Sequence, residues 1–263
     1  QMCIRHRRWP DFRGPQADGH VPDALAPLPT PWSETENVGW KTPLPHRGWS
    51  SPAVSNDTIW LTTATEEGHD FFVLAVDAAT GVLTHKAQLF HSDNPEPLGN
   101  NVNCYASPSP VLDGNRVYVH FGSYGTACIE TGTKEVLWKR EDLPCQHYRG
   151  PGSSPIIFED LLILTFDGID QQYVTGLDKL TGETRWRTDR TRNWDDFDEN
   201  GEPKRGGDMR KAFSTPIVVT QDGNPLLLSV GSSASYGYDP RTGKELWKVE
   251  QIGFTPSTRP VWD

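Results

Sequence analysis

The stretch Asp178-Lys-Leu-Thr-Gly-Glu-Thr-Arg-Trp186 decides the fold, because it recurs as Asp239-Pro-Arg-Thr-Gly-Lys-Glu-Leu-Trp247. Both copies read D-x-x-T-G-x-x-x-W. Two weaker copies keep the spacing, and their members are Asp77, Thr80, Gly81 and His85 in one, and Glu130, Thr133, Lys134 and Trp138 in the other. Trp40-Lys41 adds a further point in the same register. The Trp position thus recurs about every 50 residues, which is typical of a repeat protein.

Each feature of this motif has a structural explanation. Glycine adopts the positive φ that tight turns need, the Asp side chain bonds to amides of its own turn, and Trp buries a large surface. Lys134 in the glycine position should strain its turn. A reactive centre would not be copied into every repeat, so we interpret these residues as structural: Trp40, Asp77, Gly81, Trp138, Asp178, Gly182, Trp186, Asp239, Gly243 and Trp247. We expect Trp138, Trp186 and Trp247 to be equivalent and buried between repeats, with His85 in the same position.

Every repeat also begins with a small hydroxyl residue and a proline, at Ser51-Pro52, Ser109-Pro110, Ser154-Pro155 and Thr215-Pro216. Short runs rich in β-branched and aromatic residues follow, separated by turn sequences such as Asn56-Asp57. Four short strands in each unit indicate one blade of a β-propeller. The sequence therefore predicts an all-β propeller of four-stranded blades.

Charge and hydropathy exclude several classes of function. The 263 residues include 25 Lys+Arg and 35 Asp+Glu, giving a net charge of -10. Nucleic acid and anionic membrane surfaces are therefore not expected partners. No apolar run approaches the roughly 20 residues of a membrane-spanning helix. The basic start of the chain shows no apolar segment of a signal peptide.

Over residues 37–263 the repeats resemble the PQQ-binding-like β-propeller repeat family, where PQQ is pyrroloquinoline quinone. This family includes the quinoprotein alcohol dehydrogenases and the propeller lipoprotein of outer-membrane protein assembly. The extended leading segment, residues 1–36, contains Trp9-Pro-Asp-Phe-Arg-Gly-Pro15, which resembles the segment before the propeller in a bacterial subgroup. The resemblance implies a bacterial protein located outside the cytoplasm, either periplasmic or secreted.

The resemblance also implies a closed ring of about seven or eight blades. This chain holds four repeats and the beginning of another at Thr258-Arg-Pro260. We therefore expect an incomplete ring of about four blades, as in a fragment of a longer protein, with Glu36–Thr42 as an N-terminal closing strand. Exposed blade faces favour association or fraying, and we expect the strand at Trp40 and residues 252–263 to be least ordered.

Cofactor binding is implied by the resemblance but is not expected here. Quinoprotein dehydrogenases hold PQQ beneath a disulfide of adjacent cysteines and bind calcium beside a catalytic Asp. None of Cys3, Cys104, Cys128 and Cys145 are adjacent, so we expect no PQQ, and a PQQ–calcium site remains the less favoured alternative. Cys128 is expected to be a buried strand residue, and a disulfide between Cys104 and Cys145 is left open.

One acidic loop partly matches a calcium-binding loop. Asp196, Asp198 and Asn200 reproduce its first oxygen ligands, but its twelfth position holds Gly207 instead of a bidentate Glu. A solvated acidic loop is the favoured interpretation, and a weak calcium site is the alternative.

Polar and aromatic residues gather in the loops that join one blade's last strand to the first strand of the next. In a propeller these loops share one face near the central channel, where ligands bind. The candidates for ligand binding are Arg47, Trp49, Asn103, Tyr105, His147, Tyr148, Arg149, Arg210 and Lys211, with His46 and Phe213 beside them. Ordinary loop residues are the alternative interpretation.

The sequence contains no ordered Ser/His/Asp set, no phosphate-binding glycine loop and no paired carboxylates in register, so we assign no catalytic residues. We expect a non-catalytic binding or scaffold module that recognises a protein or glycan through its loop face. The alternative is a PQQ-dependent oxidoreductase.

Overall fold

The structure, a computed structural model, describes residues 8–20, 30–55, 57–99 and 101–262. Cys3 lies outside these residues, as do Asn56 of the Asn56-Asp57 turn and residues 1–7 and 21–29 of the predicted leading segment. Among the described residues, no helix is long and apolar enough to cross a membrane. A 3₁₀ helix, Lys204–Arg210, interrupts the strands once.

Four antiparallel sheets follow one another along the chain, and in each the strands are adjacent in chain order. Each sheet is one blade, which confirms the predicted incomplete propeller of four-stranded blades.

A short strand, β1 (Arg8–Trp9), joins the first blade beside its first strand. Blade 1 contains β2 (Ala53–Ser55), β3 (Thr58–Ala64), β4 (Asp70–Asp77) and β5 (Leu83–His91). Blade 2 contains β6 (Val111–Asp113), β7 (Arg116–His120), β8 (Thr126–Glu130) and β9 (Val136–Arg140). Blade 3 contains β10 (Ile156–Phe158), β11 (Leu161–Asp167), β12 (Gln172–Asp178) and β13 (Thr184–Asp189). Blade 4 contains β14 (Ile217–Gln221), β15 (Asn224–Gly231), β16 (Ala234–Tyr238) and β17 (Glu245–Glu250).

The core lies between successive blades. The second and third strands of blades 2 and 3 are buried on both faces over most of their length, and every residue of β11 is buried. Strands covered on both sides need continuous apolar runs, which explains sequences such as Leu161–Leu164. Outer strands are covered less, and β13 buries Trp186 while exposing the residues on either side.

The repeated motif connects each blade to the next. In the third copy, the Asp178 carboxylate accepts hydrogen bonds from the amides of Leu180 and Thr181, and Gly182 has φ of 78°. Trp138 of the preceding blade covers this turn so closely that a Cβ at Gly182 would overlap its ring. Its indole Nε1 donates to the Lys179 carbonyl at 3.2 Å. The requirement for glycine is therefore steric as well as conformational.

Trp138, Trp186 and Trp247 occupy equivalent register positions, opposite Cys128, Gly176 and Gly237. His85 stands opposite Ala75 in the same position of blade 1, as predicted. Burial differs, however, because Trp186 is 8% exposed, Trp138 is half-buried and Trp247 is 38% exposed. The prediction that Trp247 is buried is wrong, since no described blade lies beyond β17 to cover it.

At the contact between blade 1 and blade 2, the usual Trp and Gly of the repeat are both replaced, by His85 and Lys134 respectively. Lys134 adopts φ of 67° where the other copies have glycine. Its Nζ lies 4.5 Å from the centre of the Trp60 ring, and burial, opposed by the Glu130 carboxylate, lowers the pKa of Lys134. His85 is smaller than Trp, so it leaves room for the Lys134 side chain. The predicted strain is thus accommodated by a smaller partner and a cation–π contact.

Residues 36–42 do not form the expected closing strand. Among the described residues of this segment, strand-like pairing is limited to an isolated bridge between Ser33 and Glu36. Within the described part of the chain, no strand lies beside these residues to supply hydrogen bonds. Trp40 nevertheless covers Gly81 and donates to the Ala78 carbonyl at 3.1 Å. Trp138 makes the same two contacts with Gly182 and Lys179 two repeats later. Residues 36–42 therefore contact blade 1 as an outer strand would, through Trp40, although they are not paired in a sheet.

The N-terminal residues run along the inner edges of the blades. After β1 pairs with β2, the Pro10 carbonyl accepts a hydrogen bond from Leu112 of β6. The Asp11 carboxylate then meets the buried Arg259 guanidinium at 3.2 Å, and the Phe12 carbonyl binds the same group. This segment therefore connects the first blade to the last described residues.

Candidate functional site

A series of hydroxyl groups positions the loops that follow the outer strands. The Ser51 amide donates to Ser109 Oγ, the Ser109 amide to Ser154 Oγ, and the Ser154 amide to Thr215 Oγ1, each at 2.9 Å. These are the hydroxyl residues that precede proline in each repeat. Because proline has no N–H, the Ser or Thr before it supplies both groups of this hydrogen-bond series, the amide as donor and the hydroxyl oxygen as acceptor. The loops are thereby held side by side on one face.

Five successive loops on this face enclose a cavity of about 510 Å³. We call it the loop-face cavity. Its lining consists of Trp49, Val102, Asn103, Ser107, Arg149, Gly152, Asp208, Phe213, Phe254, Thr255 and Ser257. Its volume lies within the usual range for small-molecule sites.

An ion pair forms the charged part of this cavity. Arg149 Nε and Nη2 donate to the two carboxylate oxygens of Asp208 at 2.8 and 3.1 Å. The two side chains are 24% and 20% exposed. Hydrogen bonding to Asp208 raises the pKa of Arg149, so the guanidinium remains charged. A bidentate pair has fixed geometry, and it presents balanced charge to a ligand.

Aromatic rings form the apolar part. Trp49 is 47% exposed and Phe254 is 46% exposed. Phe213 also lines the cavity. The Arg47 guanidinium carbon lies 5.0 Å from the centre of the Trp49 ring. Exposed rings that contribute little to the core are typical of ligand contacts.

Asn103 has a structural role within the cavity wall. Its Nδ2 donates to the carbonyls of Arg149 and Pro151 at 2.7 and 3.0 Å. Its Oδ1 accepts hydrogen bonds from the Cys104 amide and from Ser107 Oγ. The nitrogen of this buried amide therefore joins two loops, and its oxygen stabilises the loop that contains Asn103.

The structure brings four of the loop residues named from the sequence to the cavity, namely Trp49, Asn103, Arg149 and Phe213. The others lie elsewhere. Tyr105 is buried, and its hydroxyl donates to the Glu96 carbonyl. Arg47 and Tyr148 stack beside cavity residues, at Trp49 and Arg149 respectively. His46 stacks on Phe72 with 4.5 Å between ring centres, and Arg210 binds Asp196.

His147 and Lys211 lie behind the cavity wall together with Cys145. His147 Nδ1 is 3.5 Å from Lys211 Nζ and 3.9 Å from Cys145 Sγ, and its Nε2 accepts the Ser123 amide. Burial lowers the pKa of Lys211, lowers that of His147 well below 6.5, and raises that of the Cys145 thiol. All three groups are sealed from solvent and lack the access that a nucleophile or base needs.

The acidic loop is held by protein contacts. Asp196 accepts two hydrogen bonds from Arg210, at 2.7 and 3.1 Å. Asp198 accepts the amides of Asn200 and Glu202, which closes a turn. The Asp196 carboxylate is therefore paired with the Arg210 guanidinium, and the Asp198 carboxylate stabilises a turn. Among the described residues, no group of three or more His, Cys, Asp and Glu side chains is arranged to hold a metal ion.

Cys104, Cys128 and Cys145 are free thiols, so Cys104 and Cys145 form no disulfide. Cys128 is buried in β8 as predicted, and burial raises the pKa of its thiol to about 12. Calcium needs six or more oxygen ligands, whereas Asp208, the sole carboxylate among the residues that line the cavity, is bound to Arg149. These residues do not fit a PQQ–calcium complex.

Several cavity residues were missed by the sequence analysis. Asp208 lies in the long insertion of the third repeat, and its partner Arg149 is 59 residues away. Phe254, Thr255 and Ser257 follow β17 at the same loop position as the named candidates. The position after an outer strand, which indicated the other candidates, also indicates these three residues of the last repeat.

A family model described as "Outer membrane protein assembly factor BamB" matches residues 30–141. A search of curated protein sequences gives no match. Among solved structures, BamB from Moraxella catarrhalis has a TM-score of 0.57 and 18% identity, covering 85% of this chain and 58% of its own. A quinohemoprotein alcohol dehydrogenase from Comamonas testosteroni has a TM-score of 0.53 and 16% identity, covering 79% of this chain and 35% of its own.

A europium-containing methanol dehydrogenase is similar in fold, with a TM-score of 0.55 and 14% identity over 78% of this chain and 42% of its own. The chain thus spans between 35% and 58% of the length of these structures. At such identities the likeness concerns the fold. The family model matches part of the chain, and the solved structures show that the chain shares the PQQ-like β-propeller fold.

Proposed function

We propose that the protein is a non-catalytic binding or scaffold module that recognises a protein or glycan ligand at the loop-face cavity. The observation that carries this proposal is the convergence of five successive loops on one cavity with exposed aromatic rings and a fixed ion pair. An exposed aromatic surface with a few oriented polar groups is the usual composition of a recognition site.

The placement of reactive groups supports a binding role. Cys145, His147 and Lys211 are buried behind the cavity, and their altered pKa values arise first from burial. The cavity itself offers an ion pair whose members neutralise each other. These groups suit recognition better than proton or electron transfer.

We propose that the protein acts outside the cytoplasm, as the matched outer-membrane assembly factor and the resemblance to quinoproteins suggest. A net charge of -10 disfavours nucleic acid as a partner. The alternative function, PQQ-dependent oxidation, is favoured by fold likeness to two dehydrogenases, but the cavity residues do not fit the cofactor.

The test is binding of the full chain to an array of synthetic peptides and of neutral and acidic oligosaccharides. The paired variant Trp49→Ala/Phe254→Ala removes the exposed aromatic surface of the cavity. Trp32→Ala is the matched control, because Trp32 is 74% exposed and is not part of the lining. We expect at least one class of probe to bind the native protein and the control but not the paired variant. Equal binding by all three proteins, or no binding of any probe, contradicts the proposal.

A further inference from the structure

We infer that the loop-face cavity recognises a neutral oligosaccharide, an inference that rests on the proposed function and names its ligand class. The three considerations are the paired backbone of the rim, the balance of charge inside the cavity, and the combination of exposed rings with free hydrogen-bonding groups.

The backbone of the rim is already paired, which disfavours a peptide ligand. The Trp49 amide donates to the Ala106 carbonyl at 3.0 Å, and the Phe213 amide to the Pro256 carbonyl at 2.8 Å. The Thr255 amide donates to the Lys211 carbonyl at 3.1 Å. Extended peptides gain much of their affinity by adding to an open backbone edge. The loops of this rim use these backbone groups to hold one another.

The charge inside the cavity favours an uncharged ligand. Arg149 and Asp208 form a bidentate pair, so neither is left to attract an ion of opposite sign. A net charge of -10 over the whole chain further disfavours anionic ligands. An acidic polysaccharide would therefore find no unpaired cation among the residues that line the cavity.

The remaining groups are complementary to a sugar. A pyranose ring presents C–H groups on its faces, which pack against an aromatic ring, and hydroxyls around its edge. Trp49 and Phe254 supply exposed rings. Among the described residues Arg149 Nη1 makes no hydrogen bond, and two residues that carry hydroxyls, Thr255 and Ser257, also line the cavity. Fixed donors beside exposed rings can bind hydroxyls without selecting charge.

The experiment is calorimetric titration of the full chain with cellotetraose, maltotetraose and chitotetraose, and with tetragalacturonate as the acidic counterpart. We expect at least one neutral tetrasaccharide to bind and tetragalacturonate to bind at least tenfold more weakly. Trp49→Ala should lower the affinity at least tenfold, and Trp32→Ala should leave it unchanged. Circular dichroism during urea unfolding verifies that each variant is folded.

Asp208→Asn provides an independent arm, because it leaves the Arg149 charge unpaired. This variant should bind tetragalacturonate more tightly than the native protein does. If peptides bind in a Trp49-dependent way while no neutral sugar binds, the ligand class is wrong and the binding function stands. If the native protein prefers tetragalacturonate, or sugar binding is unchanged in Trp49→Ala, the inference is overturned.

Discussion

Replacing Trp186 by Ala is expected to lower the free energy of unfolding by about 3–5 kcal/mol, the usual cost of removing a large buried aromatic side chain. Trp186 is 8% exposed and contacts Gly176 of its own blade and Gly243 of the next. Alanine at this position would leave a cavity between two blades, and both glycines would lose the ring that covers them. Urea unfolding followed by circular dichroism measures the change.

Trp247→Ala is the matched control, since Trp247 has the same register but is 38% exposed. Its side chain covers Gly237 without a following blade on the other side. The expected loss is roughly 1 kcal/mol, closer to that of a surface substitution. Equal losses at the two positions would show that the Trp side chain acts within its own blade and does not connect successive blades.

Acidification is expected to destabilise the protein, because two histidines are buried in their neutral form. Burial lowers the pKa of His120 from 6.5 to about 3. Burial, with the Lys211 ammonium nearby, lowers the pKa of His147 well below 6.5. Between these values the unfolded chain binds more protons than the folded protein, so stability falls as the pH falls below about 6.5.

At about pH 5 His120 should cost about 2 kcal/mol relative to about pH 7.5, and His147 should add a further loss of the same sign. Urea unfolding at the two pH values measures this loss. His120→Asn keeps a hydrogen-bonding group for Thr126 Oγ1, which lies 2.8 Å from His120 Nδ1, and it should remove about 2 kcal/mol of the loss.

His91 supplies the control for this pH dependence. Hydrogen bonds that His91 donates to the Asp70 and Asp93 carboxylates raise the pKa of His91, so its protonation favours the folded state at acid pH. His91→Asn should therefore leave the acid-induced loss in place or increase it. A native protein that is equally stable at both pH values would show that His120 and His147 take up protons without unfolding.

The repeat was predictable from the sequence because its determinants are local. Gly182 and Gly243 adopt positive φ within a few residues of the Asp that caps their turn. The Trp register follows from a fixed spacing along the chain. Burial of Trp247 was not predictable, because burial depends on a neighbouring blade and not on the motif that contains the residue.

The cavity was predictable only in its location. Loop position alone brought Trp49 and Arg149 to the right face. Pairing of Arg149 with Asp208 depends on how an insertion folds back across 59 residues. Asn103 was selected as a polar loop residue, yet its amide is used within the protein. Tertiary contacts decide whether a polar side chain binds a ligand or holds its own loops together, and the spacing of residues along the sequence does not reveal those contacts.

Recognition without PQQ-dependent oxidation is tested by dialysis of the full chain against PQQ with calcium. Quinone absorbance and dye reduction with an alcohol are then measured. We expect no retained quinone and no dye reduction above a protein-free blank, because Asp208 is held by Arg149 and the sequence has no adjacent cysteines. Stoichiometric quinone retention with calcium-dependent dye reduction would contradict the account and identify the protein as an oxidoreductase.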